Sequence, residues 1–485
     1  MSRIVAAVVA CVGIATVVML ATRGCDRETR SPEVLSPPVA TIEGTVAITN
    51  VAVVDVDAGC VRPGQTVVVN GDRIAAVGPA ATTRPAAGVT VIDGTGKFLL
   101  PGLWDMHAHI ADPAMAAGFL RYGVTGVRHM YSLIAAVPVR ASDPAAGGSG
   151  PRVVAATHLL DGTKTGFPWL LNANVRKADT PAEARLAVRK IRDSGNDFLK
   201  IGNALPRDAY FAAVAEAKAL GMPVAGHVPF AVSAFDAVRA GQQTIEHLDG
   251  VAAASGIQSD RWLAQRAACA EDSDSNAAQS RVDLDSALDT PHPVKEKALF
   301  AAFVSKQVWH VPTLVQTQAT SLLGIRTALP PAVEAELPEK ARLFWDRKYP
   351  KPGEVILTAF GRKYTAAQIA ARRQQYLGEQ KLAGRLHRAG VKLLAGTDTP
   401  YPLVVPGYSL HQELELLVGA GLTPPEALRA ATLDPARCLG REKDLGLVAV
   451  GKYADLILLT ADPTRDIANT RAIEKVFVGG KMVPR

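Results

Sequence analysis

Cysteine is scarce. The 485 residues hold five, at positions 11, 25, 60, 269 and 438, with no CxxC pair and no regular spacing. That argues against a fold built on disulfides and against a thiolate metal site. Charge of one sign is not concentrated either: 53 basic and 46 acidic residues leave a net +7 with no dense Lys/Arg run, so there is no electrostatic footprint for nucleic acid. With 48% apolar and 20% charged residues the composition is that of a globular protein, which excludes bulk disorder and a fibrous rod.

Only one long uncharged apolar run stands out, the 18 residues Ile4–Ala21 between Arg3 and Arg23. It is long enough to cross a bilayer core as a helix, and it also has the form of an export signal. Cys25 follows Thr22-Arg23-Gly24, a poor lipidation box because Arg23 stands where a small or apolar residue belongs. Residues 1–30 are therefore expected to be a signal peptide or membrane anchor and 31–42 a polar, Pro-rich linker. The globular part is expected outside the cytoplasmic membrane, periplasmic or anchored to it.

From Val46 the chain reads as β-branched runs closed by Asp/Gly turns, and the same pattern returns after Gly446. Between them, eight short apolar runs alternate with helical stretches: FLLPGLWDMHAH, VTGVRHM, PRVVAATHLL, DFLKIG, MPVAGHV, QTIEHL, VWHVPTLV and VKLLAGTD. Apolar strands separated by helices predict a parallel sheet buried on both faces, and eight of them predict an α/β fold of the (β/α)8 TIM-barrel type. The β-rich ends, 43–98 and 441–485, are expected to form one small β-sandwich domain around a 99–440 barrel. A long insertion, about 252–389, includes a polar tract at 269–290; insertions after barrel strands often become lids.

The histidines sort by position. His107 and His109 are two apart at a strand end, so both rings can meet one ion. Lys200, His227 and His247 end later strands at intervals of 27 and 20 residues, each one βα repeat, and Asp398 ends the last strand. Six polar residues at the C-terminal ends of five strands would be a costly way to build a core. Imidazole and carboxylate without thiolate suit two divalent ions, with zinc the first choice and cobalt, manganese or nickel compatible. A lysine ammonium beside two cations would be repelled; carboxylation of Lys200 by carbon dioxide would make it an anionic bridge instead.

The string LLPGLWDMHAH, with Lys200, GH at 226–227, EH at 246–247 and GTD at 396–398, resembles the amidohydrolase superfamily over nearly the whole chain after residue 43. Within it the chain is similar to the imidazolonepropionase-like and prolidase-like branch of dipeptidases and N-acyl amino acid hydrolases. The lysine favours two-metal, peptidase-like members over imidazolonepropionase itself. The resemblance implies that His107, His109 and Asp398 hold one metal, that His227 and His247 hold the second, and that carboxylated Lys200 bridges them. It implies a bridging hydroxide as nucleophile and Asp398 as the catalytic proton carrier. Relatives usually carry an acidic residue where this chain has His129. His129, Tyr131 and His158 are candidates to grip substrate, and each is equally readable as packing.

The resulting expectation is a hydrolase of a small amide or peptide, a dipeptide or an N-acyl amino acid. Cyclic-amide, lactone or carbamate hydrolysis on the same metals is the alternative, and a non-catalytic envelope binding protein the further one. The sequence does not set the oligomeric state, and a homo-oligomer stays open.

Overall fold

The computed structural model describes residues 39–133, 138–164, 174–269, 290–322, 329–335, 356–357, 363–364 and 366–484. Ile4–Ala21 and nearly all of the polar tract lie outside the described residues, and among the described residues no helix is long and apolar enough to cross a membrane.

Each of the eight apolar runs contains strand. Leu103–Ala108, Val124–His129 and Arg152–Ala155 pair in parallel, with Val124–His129 in the middle. Seven more strands form a second parallel set in the order Val175–Lys177, Leu159–Asp161, Leu199–Ile201, Val224–Gly226, Thr244–Glu246, Trp309–Val311 and Lys392–Leu393. The sets meet where Ala108 bridges Thr399 in parallel and the Met106 amide donates to the Ala395 carbonyl at 2.9 Å. Trp104, Met106, Met130, Phe198, Ala225, Trp309, Val311 and Leu394, drawn from both sets, form one buried cluster on the inner face. Leu199, Ile201, Ile245 and Leu393 bury the other face against helices such as Pro181–Asp193, Arg207–Ala219 and Tyr408–Ala420. Lys200 stands between two outward residues, so alternation turns it to the inner face.

Two runs divide differently from the expectation. PRVVAATHLL is two strands, and His158 lies in the break between them. FLLPGLWDMHAH contributes Phe98–Pro101 to the terminal sheet and Leu103–Ala108 to the parallel layer. Gly102 makes the change of sheet: a Cβ there would lie 1.9 Å from Thr125 Oγ1.

Both chain ends join in one eight-stranded sheet, where Leu456–Leu459 pairs antiparallel with Phe98–Pro101 and the latter pairs with Val46–Asp55. The expected sandwich is not what the pairing traces. Register shifts in the Val46–Asp55/Cys60–Asn70 ladder bend the sheet, and Ile48, Val67, Ile74, Leu456 and Phe477, from opposite ends of the strand order, share one core. The sheet thus supplies both walls of its own core. Its other face, through Leu100, Ile457, Leu459 and Val476, packs on the parallel layer. A buried Arg152–Asp455 pair, with Nε–Oδ2 at 2.5 Å, ties the two parts together.

The 252–389 stretch is not a single excursion: helices Ser259–Cys269 and Pro293–Lys306 lead into the parallel strand Trp309–Val311, and helices Leu314–Ser321 and Ala366–Arg388 follow. Cys438 is buried and free, whereas Cys60 is disulfide-bonded.

Candidate active site

His107 lies in the strand Leu103–Ala108 and His109 just beyond it. The other histidines of the group do not simply continue their strands. His247 follows Thr244–Glu246 with φ 57°, and Asp398 has φ 65°, both in the left-handed region. His227 follows Gly226, whose φ of 127° suits glycine and where a Cβ would lie 2.5 Å from the Ile201 carbonyl oxygen and 3.1 Å from Lys200 Cδ. Non-glycine residues held there cost on the order of 1–3 kcal/mol and persist where the surroundings over-determine them.

These turns bring the rings together. Ring centroids of His107 and His247 are 4.5 Å apart, those of His227 and His247 5.0 Å, and those of His107 and His109 5.4 Å. Each Nδ1 is engaged: His107 with Glu246 Oε2 at 2.8 Å, His109 with the Tyr131 carbonyl at 2.9 Å, His227 with Asp249 Oδ2 at 2.5 Å and His247 with Thr313 Oγ1 at 2.8 Å. Carboxylate and carbonyl oxygens only accept, so three Nδ1 atoms donate. Thr313 gives its own hydroxyl hydrogen to the Pro312 carbonyl, so the fourth donates too. That tautomer leaves four Nε2 lone pairs. Two of them, on His107 and His109, lie 3.4 and 3.0 Å from Asp398 Oδ1. Converging lone pairs suit a cation, and His107, His247 and Asp398 could hold one, their ligand atoms lying within 4.8 Å of one another.

Burial holds the imidazoles of His107 and His227 well below the usual histidine range, with Lys200 adding to it, and brings His247 down to about 4. Burial works against ionisation of Asp398, but the His109 contact and the neighbouring rings outweigh it and keep the carboxyl below the carboxylate range. Neutral imidazoles and an ionised aspartate are the ligand forms of these groups. Lys200 is 2% exposed and its Nζ has no hydrogen-bond partner among the described residues. Burial lowers its pKa to about 8, although Glu246 and Asp398 oppose the shift. A buried, unpartnered amine beside four lone-pair-bearing imidazoles fits a metal site and fits a lysine that reacts with carbon dioxide, since only the free amine does so.

The three candidate substrate residues are placed differently. His129 is fully buried; its Nδ1 accepts from the Ile110 amide at 2.9 Å and its Nε2 meets Ser132 Oγ at 3.0 Å, so both nitrogens are used inside the protein. Tyr131 holds His109 through its carbonyl, and its ring packs with Leu159 and Val175 while standing edge-on to that of His109, centroids 6.4 Å apart. His158 is held by Asn196 at 3.0 Å and Arg176 at 3.1 Å. Other polar side chains around the parallel layer are also engaged: Arg152 is paired with Asp455 and the Tyr210 hydroxyl donates to Gln242 Oε1. His411 engages Thr470 and the Tyr122 carbonyl; His310 packs on Phe303, ring centroids 4.3 Å apart.

The sequence reading passed over the groups behind the ligands. Glu246 is the inward residue of its strand, and Arg128 clamps both its oxygens at 2.8 and 2.9 Å while reaching Thr244 Oγ1 and the Met106 carbonyl. Such partners fix ring orientation. Strand alternation could have flagged Thr244 and Glu246 as inward facing; nothing local marks Asp249 or Thr313.

The amidohydrolase family matches residues 352–483. An imidazolonepropionase of Rubrobacter xylanophilus is 28% identical over 426 residues, 83% of this chain and 86% of that protein. An adenine deaminase of Moorella thermoacetica is 37% identical over 92 residues, 19% of this chain; the match spans only 14% of that relative's length. A solved Xaa-Pro dipeptidase with methionine bound in its active site shares the fold at a TM-score of 0.63 and 20% identity, covering 90% of this chain and 99% of that one. The family match over the C-terminal part and the likeness to an imidazolonepropionase over most of the chain support the amidohydrolase superfamily. Within it, the likenesses are to imidazolonepropionase- and prolidase-like proteins.

Proposed function

We propose that this chain is a two-metal hydrolase of an amide or peptide bond in a small substrate, a dipeptide or an N-acyl amino acid. The observation that carries the reading is the set of four imidazoles whose Nδ1 atoms are all occupied, facing Asp398 and an unpartnered Lys200. His107, His109 and Asp398 would hold one ion, His227 and His247 the other, and Lys200, as its carbamate, would join them. When bound, divalent ions supply Lewis acidity toward the carbonyl and acidify water. The chain's own residues do the rest. Glu246, Asp249, Thr313 and the Tyr131 carbonyl hold the rings. Asp398 takes the proton released as water adds to the carbonyl carbon, then delivers it to the amine nitrogen as the C–N bond breaks. His109, His227 and Asp398 keep side-chain exposures of 13%, 23% and 18%, against 1% for His107, so substrate enters from the side these three share. In this reading the parallel strands close into a (β/α)8 barrel around the site.

Purified full chain should carry close to two divalent ions, and chelation should abolish turnover of a dipeptide and N-acyl amino acid library. Turnover confined to cyclic amides, lactones or carbamates would shift the substrate assignment; full activity in metal-stripped protein would sink the mechanism.

We also propose export, with Ile4–Ala21 as signal or anchor. The flanking arginines and the oxidised state of Cys60, which suits an oxidising compartment, support it. Cell fractionation should place the protein in the membrane or periplasm, and recovery of the intact chain from the soluble cytoplasm would refute export.

A further inference from the structure

Thr313 occupies the N-cap position of the helix Leu314–Ser321, and threonine there ordinarily accepts from the first amides of its own helix. It makes no such bond. Its φ is 50°, a left-handed conformation unfavourable for a β-branched residue, and its hydroxyl points the other way, donating to the Pro312 carbonyl at 2.8 Å and accepting from His247 Nδ1 at 2.8 Å. The helix amides left over need another acceptor. Glu413, on the helix Tyr408–Ala420, supplies it: Oε2 accepts from the Val315 amide at 2.7 Å across 98 residues of sequence.

Glu413 is 0% exposed, and its second oxygen, Oε1, is buried with no hydrogen bond among the described residues. Leu410 and Leu414 beside it on the helix are fully buried apolar residues. A carboxyl at such a position is costly unless it does something a leucine cannot. We propose that Glu413 is a positioning residue for His247, capping the helix Leu314–Ser321 in place of Thr313 and so leaving the Thr313 hydroxyl to orient the imidazole. The inference rests on the reading that His247 holds a metal. Burial pushes the Glu413 carboxyl up to about 8, against the Val315 and Leu314 amides, so an uncharged acceptor suffices at neutral pH and glutamine should substitute for it.

The test is metal affinity and stoichiometry of the full chain, by chelator competition and elemental analysis with zinc, alongside melting temperature and circular dichroism. Glu413→Ala should retain one ion at wild-type affinity and bind the second about 10–100-fold more weakly, the usual scale for a group behind a ligand. Glu413→Gln should restore it. Thr313→Val, which keeps shape and removes the acceptor, should weaken the same ion. Adding Glu413→Ala to Thr313→Val should lower the melting temperature further without weakening the ion further, because both act through one hydroxyl. A Glu413→Ala chain that melts lower yet binds both ions as wild type makes Glu413 a structural cap only and overturns the proposal, as does additivity of the two substitutions in metal affinity. His247→Ala separates the underlying reading: if it leaves metal binding unchanged, His247 is no ligand and the site assignment itself fails.

Discussion

Lys200→Ala is expected to lose metal and activity together. Substitutions of groups that merely brace a ligand cost roughly 10–100-fold in affinity or activity, and a bridging ligand should cost more. Acetate or propionate, entering the space left by the side chain, should restore part of both. Lys200→Arg should be inactive, because a guanidinium stays cationic and cannot form the carbamate. The expectation follows from the position: 2% exposed, Nζ without a hydrogen bond, a pKa brought down to about 8 by burial, and four imidazole lone pairs nearby. If Lys200 were an ordinary buried lysine, the arginine variant would remain active and added carboxylate would change nothing. An active Lys200→Arg enzyme carrying two ions would end the carbamate assignment.

Asp398→Asn should lower turnover by roughly 10²–10⁴, the scale of a positioned acid–base group, with circular dichroism unchanged. The amide keeps the side-chain shape and an oxygen toward His107 and His109, which lie 3.4 and 3.0 Å from Oδ1, but it can no longer take a proton from water. A variant within a few-fold of wild type would place the proton carrier elsewhere. Substrate affinity should change less than turnover if Asp398 acts in the chemical step rather than in binding.

The parallel layer was legible because apolar runs and helical stretches alternate locally, and each predicted run contains strand. The HxH pair was legible as two histidines two apart at a strand end, but plain alternation does not place them: Trp104 and Met106 face inward, and a register irregularity between Asp105 and Ala108 lets His107 face the site as well. The reading that His227, His247 and Asp398 simply end their strands needs amendment. By strand phase it is Glu246, not His247, that faces inward; His247 and Asp398 reach the site because the chain turns left-handed at them. Residue spacing alone could not reveal that, since φ is set by the surrounding packing. The terminal sheet shows the same limit. Its β-branched runs announce strands, but whether two sheets face each other or one sheet bends round depends on bulges that only the pairing partner defines.

What the sequence by itself determined is therefore the succession of strands and helices, the HxH pair, the imidazole and carboxylate character of the candidate site and the apolar run at the start. Each of these is written within a dozen or so neighbouring residues, where periodicity and composition act. The tertiary structure alone decided which atom of each imidazole is free. That choice belongs to Glu246 for His107, Tyr131 for His109, Asp249 for His227 and Thr313 for His247, partners 22 to 139 residues away. A ring nitrogen takes its role from whatever acceptor the fold sets beside it, and no local pattern in the chain records that neighbour.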